Sequence, residues 1–253
     1  MTSNKNIVFD ALKNNAFIPF FQPVIDSDDR KCIGAEVLSR LDLGCGRLIS
    51  PGDFLQFVIG HVNFELKLFD MMLHNAVLMY EKKIFCSDFF LSINITANVM
   101  GHELLPVILN KNICDKKNAL IVLELTEHFP LNFFDEGIQK NIKILKQMGV
   151  MIALDDFGTG YSSLSILQNI DIDFIKVPHN FSSCMSIKSK AIIDNIKHLS
   201  DLIGSNVIVE GIETEEQFLY LKSKGFKYMQ GYLLGKPLGI DDFILYYSFN
   251  NGE

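Results

Sequence analysis

The feature that most constrains this chain is a rhythm. From its middle onward a short apolar run ends in polar residues, an amphipathic helical stretch follows, and a glycine precedes the next apolar run. Ala119–Glu127 reads as a strand closing on acids, after which Ile138, Ile142, Leu145 and Met148 fall at helical spacing before Gly149. Val150–Asp156 is the next strand and again ends in acids. Ile192, Ile196, Leu199 and Ile203 then mark a helix face, Gly204 closes it, and Asn206–Glu210 is a further strand. Thr214-Glu-Glu-Gln217 has the form of a capping box and opens a helix that stops at Gly225, ahead of a strand over Tyr228–Leu234. Upstream, Phe17–Ile25, Cys32–Arg40 and Phe89–Thr96 are strand candidates, and Ile7–Leu12 predicts a short helix.

Repeated strand-helix units imply a parallel sheet. With about eight strands in 253 residues, the expected architecture is α/β, a TIM-like (β/α)₈ barrel, which commonly fills about 250 residues. An open doubly wound sheet is the alternative, since repetition alone does not establish closure. No Pro-rich linker or charge block divides the chain, so one domain is expected over 1–253, with 1–15 as an N-terminal extension and 16–245 as the barrel.

Composition narrows the function classes. Nearly half the residues are apolar (48%) and 21% are charged, which describes a folded chain. A net charge of −7 argues against duplex nucleic acid or an anionic membrane surface as partner. The five cysteines are scattered without a C-x-x-C pair, and no apolar run reaches the roughly 20 residues of a membrane span, so a reducing cytoplasm is the expected compartment.

In a barrel, the carboxyl ends of the strands form one rim, and polar residues there converge. The strand ends carry Glu36, Asn94, Glu124 with Glu127, Asp155 with Asp156, Lys176, Glu210 with Glu213, and Gln230. One acid at a strand end is most often a helix N-cap or a solvated side chain. Acids on successive strands aimed at one mouth would repel unless a cation shared the space. An oxygen set without Cys or His favours Mg²⁺ or Mn²⁺ over zinc. Adjacent Asp155 and Asp156 suit two ions, one carboxylate bridging them and the other binding one. Lys176, between Ile175 and Val177, is either a snorkelling lysine or a fixed cation that offsets phosphate charge and holds a water. The loop Asp155–Leu164 has two glycines but no P-loop lysine, so nucleoside triphosphate binding is disfavoured. The six histidines show no H-E-x-x-H spacing and are assigned to core or surface, and the Met- and Phe-rich run Leu68–Tyr80 to a buried helix face.

Gly34-Ala-Glu-Val-Leu-Ser-Arg40, Ile49–Phe54, Ser92–Ile95, Glu124-Leu-Thr-Glu127, Asp155–Leu164, Val209–Thr214 and Gln230-Gly-Tyr232 occur in order along the chain. Together they resemble the motifs of the EAL-domain phosphodiesterases of bacterial cyclic di-GMP signalling, over about residues 16–245. The resemblance implies a TIM-like barrel, its first strand often antiparallel in the family, and hydrolysis of cyclic di-GMP to linear pGpG with two Mg²⁺ or Mn²⁺ ions. By that resemblance Glu36, Asn94, Glu124 and Asp155 would hold one ion, and Asp155, Asp156 and Glu210 the other. Lys176 resembles the lysine that positions the attacking water, and Glu127 the glutamate that holds the Asp155–Leu164 loop. Gln22, Leu38, Arg40, Gln230 and Pro237 resemble positions lining the dinucleotide. A homodimer and a protein partner are further possibilities the resemblance raises.

One departure matters. Where the family usually has Lys-Ile-Asp, this chain has Lys176-Val177-Pro178, which removes an acid near the second ion and leaves His179 as a candidate substitute. The alternative function is therefore a catalytically weak member that works as a cyclic di-GMP receptor or a protein-binding regulator, for example of motility. An unrelated metal-dependent phosphoesterase on a barrel is a third reading.

Overall fold

The computed structural model describes residues 2–82, 84–114, 119–126, 135–159, 163–183 and 185–252. Its strands are β1 (Phe17–Asp26), β2 (Cys32–Asp42), β3 (Leu48–Ile49), β4 (Phe90–Ile95), β5 (Leu120–Thr126), β6 (Met151–Asp155), β7 (Phe174–Val177), β8 (Asn206–Val209) and β9 (Tyr228–Met229). They form one sheet in the order β1-β9-β8-β7-β6-β5-β4-β2-β3, and a further β1–β2 pairing closes it. Eight strands thus make a closed barrel, and β3 is an antiparallel flap on β2. Closure excludes the open sheet. β1 runs antiparallel to both of its neighbours, while β2 and β4 to β9 run parallel, as the family resemblance implied.

Two boundaries differ from the sequence reading by more than two residues. β9 stops at Met229, because Gly231 to Leu234 forms a tight turn with Leu234 N–H donating to Gly231 O at 3.0 Å. The N-terminal helix runs over Thr2–Lys13 and buries Val8, Ala11 and Leu12 in the main core. The capping box at Thr214 and Gln217 and the left-handed helix end at Gly204 form as the sequence predicts. The helix Val62–Val77 buries Leu68, Phe69, Met72 and Leu73, so the Met- and Phe-rich run is packing surface.

Strand periodicity sorts the side chains into two sets, since alternate residues of a strand face opposite sides of the sheet. Val37, Ile93, Leu123, Leu154, Ile175 and Val209 belong to the large core beneath the helices. Val24, Phe90, Val122, Ala153, Phe174 and Ile208 form a separate apolar cluster. This second set shares strand parity with Glu36 on β2, Asn94 on β4, Glu124 on β5, Asp155 on β6 and Lys176 on β7. The barrel interior is therefore an apolar plug with polar residues stacked above it, and the next inward position after β8 is Glu210.

The loop after β8 and the turn after β9 interlock through Gly231. Ile212 N–H donates to Gln230 O at 3.0 Å, and a Cβ on Gly231 would lie 2.1 Å from Ile212 N and 2.2 Å from Ile212 O. Those neighbours are backbone and have no rotamer to give. Gly231→Ala is expected to cost about 3 kcal/mol, a fall of roughly 6–12 °C in Tm, measured by thermal unfolding. An unchanged Tm would show that the interlock can open cheaply.

Candidate active site

Lys176 is the centre of the polar layer. It is 1% exposed, and its Nζ lies 2.7 Å from Glu210 Oε1, 2.8 Å from Glu124 Oε2, 3.3 Å from Glu36 Oε2 and 3.5 Å from Asp155 Oδ1. A snorkelling lysine would reach water; this one is surrounded by carboxylates from β2, β5, β6 and the residue after β8. Glu36 also accepts from Asn94 Nδ2 at 3.0 Å and from Gln230 Nε2 at 2.8 Å. Glu36, Asn94, Glu124, Asp155, Lys176, Glu210 and Gln230 are thus brought into one connected cluster.

One ammonium cannot balance this many acids in so dry a place, and the ionisation of the cluster records the shortfall. Burial and the neighbouring Glu36 charge push Glu124 well above the usual carboxylate range, against the pull of Lys176. Burial likewise raises Glu210 to about 7, with Lys176 opposing and Asp155 and Glu36 adding repulsion. Burial works against Glu36 too, yet Lys176, Gln230 and Asn94 together hold it below its ordinary value. Lys176 itself is raised despite burial by the surrounding carboxylates.

The residues fit a divalent cation. Carboxylate oxygens of Asp155, Asp156 and Glu210 lie within 4.8 Å of one another, the one such trio among the described residues. Glu124 Oε1 and Gln230 Oε1 are buried with no hydrogen-bond partner, unspent acceptors that an oxygen-seeking ion would use. Asp156 reaches its place through a left-handed backbone (φ 55°), which its N–H donation to Asp155 Oδ1 at 2.9 Å accompanies.

Glu36, Asp155, Lys176, Glu210 and Gln230 of the cluster line an open cavity of about 490 Å³, whose walls also include Gln22, Leu38, His179, Glu213 and Tyr232. Of the expected dinucleotide-lining residues, Gln22, Leu38 and Gln230 face this cavity. Arg40 and Pro237 are not in its walls; the Arg40 guanidinium sits 5.4 Å from the Phe20 ring centre and donates to Ser39 O. Glu127 and residues 160–162 of the expected loop lie outside the described residues. His179, the candidate substitute for the missing acid, lines the cavity two residues after the end of β7, unlike a histidine confined to core or outer surface.

A second cavity, about 380 Å³, lies behind Leu38 and Asn94 and is mostly apolar. Its buried acid, Glu65, already accepts from Gly60 N–H at 2.5 Å and from Thr96 and Asn98.

The family model described as EAL domain matches residues 5–237. The chain belongs to the EAL domain family. This EAL domain is 32% identical over 250 residues to the Escherichia coli (strain K12) protein named "Probable cyclic di-GMP phosphodiesterase PdeG", covering 95% of this chain and 48% of that protein. It is 33% identical to cyclic di-GMP phosphodiesterase PdeL of the same organism, covering 92% of this chain and 66% of that one. It thus spans about half of one relative and about two thirds of the other. Among solved structures, the EAL enzyme Bd1971 in its cAMP- and cyclic-di-GMP-bound form superposes with a TM-score of 0.84 at 28% identity, covering 96% of this chain and 68% of that chain. No described helix is long and apolar enough to cross a membrane.

Proposed function

We propose that this EAL domain is a metal-dependent phosphodiesterase that hydrolyses cyclic di-GMP to linear pGpG, in the bacterial cytoplasm where that messenger acts. The observation that supports this most is the placing of one buried lysine among Glu36, Glu124, Asp155 and Glu210, all on motifs of the family. In this reading Glu36, Asn94, Glu124 and Asp155 hold one Mg²⁺ or Mn²⁺ ion, and Asp155, Asp156 and Glu210 a second. Such ions, when bound, activate water and offset the charge of the phosphodiester. The acidic mouth then accepts an anionic substrate, because bound cations invert its local charge.

The chain's own residues do the rest. Lys176, fixed by its carboxylates and unable to swing away, holds the attacking water and stabilises charge building on the phosphoryl oxygens. Glu36 is itself held by Asn94 and Gln230, so the lysine and its acids keep one geometry. Gln22 and Leu38 form the wall against which the dinucleotide lies, and Arg40 and Pro237 contribute beyond it. Water adds to phosphorus as the bond to the 3′ oxygen breaks; the 3′ oxygen takes up a proton and the 5′-linked phosphate is left on the linear product. A homodimer belongs to the same reading, as does a protein partner.

Purified protein with Mn²⁺ or Mg²⁺ should convert cyclic di-GMP to pGpG, read by chromatography. Absence of product with both ions would sink the reading. Pro178 favours a second one, a slow enzyme used as a dinucleotide receptor or protein-binding regulator. It follows β7 with φ −72°, caps the next helix and offers no side-chain ligand. Restoring the acid with Pro178→Asp is expected to raise kcat about tenfold if the natural site is handicapped; an unchanged kcat would show that the acid is dispensable in this chain.

A further inference from the structure

Among the described residues, the walls of the active-site cavity carry five acids, Glu36, Asp155, Asp156, Glu210 and Glu213, and two side chains able to bear positive charge, Lys176 and His179. Lys176 is buried and committed to four carboxylates. His179, half exposed, is the one left to meet a ligand entering the mouth.

Its position is built. Pro178 sets an extended entry (ψ 158°) to the short helix His179–Ser182 and so fixes where its first side chain starts. One face of the imidazole lies on Gly211, where a Cβ would come within 2.6 Å of His179 Cγ and Cδ2, and where φ is +70°. The ring's Nε2 is 3.6 Å from Glu213 Oε1. The two backbone turns that carry this pair are stitched together by buried groups. Ser182 Oγ donates to Glu210 O at 2.5 Å, and Gln217 Nε2 donates to Ser182 O at 3.1 Å. The other end of the same Gln217 accepts from the N–H groups of Glu213 and Thr214, both at 2.8 Å. A histidine that merely filled surface would need none of this support.

We infer that His179, oriented by Glu213 and Gly211, is a substrate-binding residue that donates an imidazole N–H to the phosphodiester of the cyclic dinucleotide that is not being cleaved. The inference rests on the proposed cyclic di-GMP reading. A contact to the unreacting phosphate is equally strong in ground and transition states, so it acts on KM and leaves kcat nearly alone.

The test compares wild type, His179→Ala, His179→Gln and Glu213→Gln. It reads KM and kcat with cyclic di-GMP and Mn²⁺, Kd for the bis-phosphorothioate analogue, Mn²⁺ half-saturation, and Tm as a check on folding. His179→Ala is expected to raise KM and Kd about tenfold, the loss of one charge-assisted hydrogen bond, with kcat within about threefold. His179→Gln, which keeps an N–H donor, should recover most of the loss, and Glu213→Gln should fall between the two. Unchanged KM and Kd in a folded His179→Ala overturn the inference and leave the phosphodiesterase reading standing. So does a loss confined to kcat with a shift in Mn²⁺ half-saturation, which would make His179 a metal ligand. Wild-type protein that neither binds nor cleaves cyclic di-GMP overturns both, and needs no variant to show it.

Discussion

Lys176→Met is expected to destabilise the metal-free protein by about 3–5 kcal/mol and to reduce turnover about 10²–10³-fold. The substitution keeps an unbranched side chain, one atom shorter, and removes its charge. Four carboxylates within 3.5 Å of the lost ammonium then have no buried counter-charge. Some of them must take up protons or draw in water, and either response weakens the fold. Thermal unfolding in EDTA measures the cost; the same melt with Mn²⁺ should recover much of it, because added cations replace the missing charge. A Lys176→Met protein as stable as wild type in EDTA would mean that the lysine does not neutralise the cluster.

Glu124→Gln should separate stability from activity in the opposite sense. Glu124 is fully buried on β5, one of its oxygens has no partner, and burial raises its pKa well above the usual range. A carboxyl raised on folding is protonated in the native state at pH values where the unfolded chain has ionised it. Its contribution is therefore present at low pH and lost as pH rises above the ordinary carboxylate value. A neutral amide removes that loss. In EDTA at pH 7 the variant should melt at or above the wild-type temperature, and the fall of wild-type stability with rising pH should flatten. Yet the amide supplies one poor ligand where a charged one stood, so turnover should drop about 10³-fold and the rise in Tm on adding Mn²⁺ should shrink. Wild-type turnover in this variant would remove Glu124 from the proposed metal set. A lower Tm in EDTA would instead show that Glu124 supports the fold when no metal is bound.

Much of this arrangement is legible in the sequence, for a physical reason. A parallel strand buried on both faces must read as an apolar run, so an acid or lysine inside one, such as Glu124 or Lys176, stands out. The common parity of the inward residues follows from the strand period, which is why strand ends alone collect nearly the whole cluster. Closure is not legible in that way. It depends on β1 pairing with β2 and β9 antiparallel, and an apolar strand reads the same in either direction. β3 was missed because two residues in a hairpin flap have no period. β9 was read too long because Tyr232 to Leu234 is apolar, although Gly231 turns the chain. The setting of His179 was hidden for another reason: Gly211, Glu213 and Gln217, which position it, lie some thirty or more residues away and meet it only through the fold.

The seam between β1 and β9 ties the two ends of the chain together. Ile25 pairs with Met229 and Asp26 with Tyr228, and the Glu36 to Gln230 hydrogen bond spans 194 residues. At translation rates of about 5–20 residues per second, Glu36 leaves the ribosome about 10–40 s before its partner. Throughout that interval the nascent sheet has two open edges, and its acidic interior lacks its last neighbours. Contacts of such long range are slow to form. The cluster around Lys176 therefore closes only after Gln230 has been made, and a copy truncated before Gln230 is expected to lack the hydrogen bond that holds Glu36.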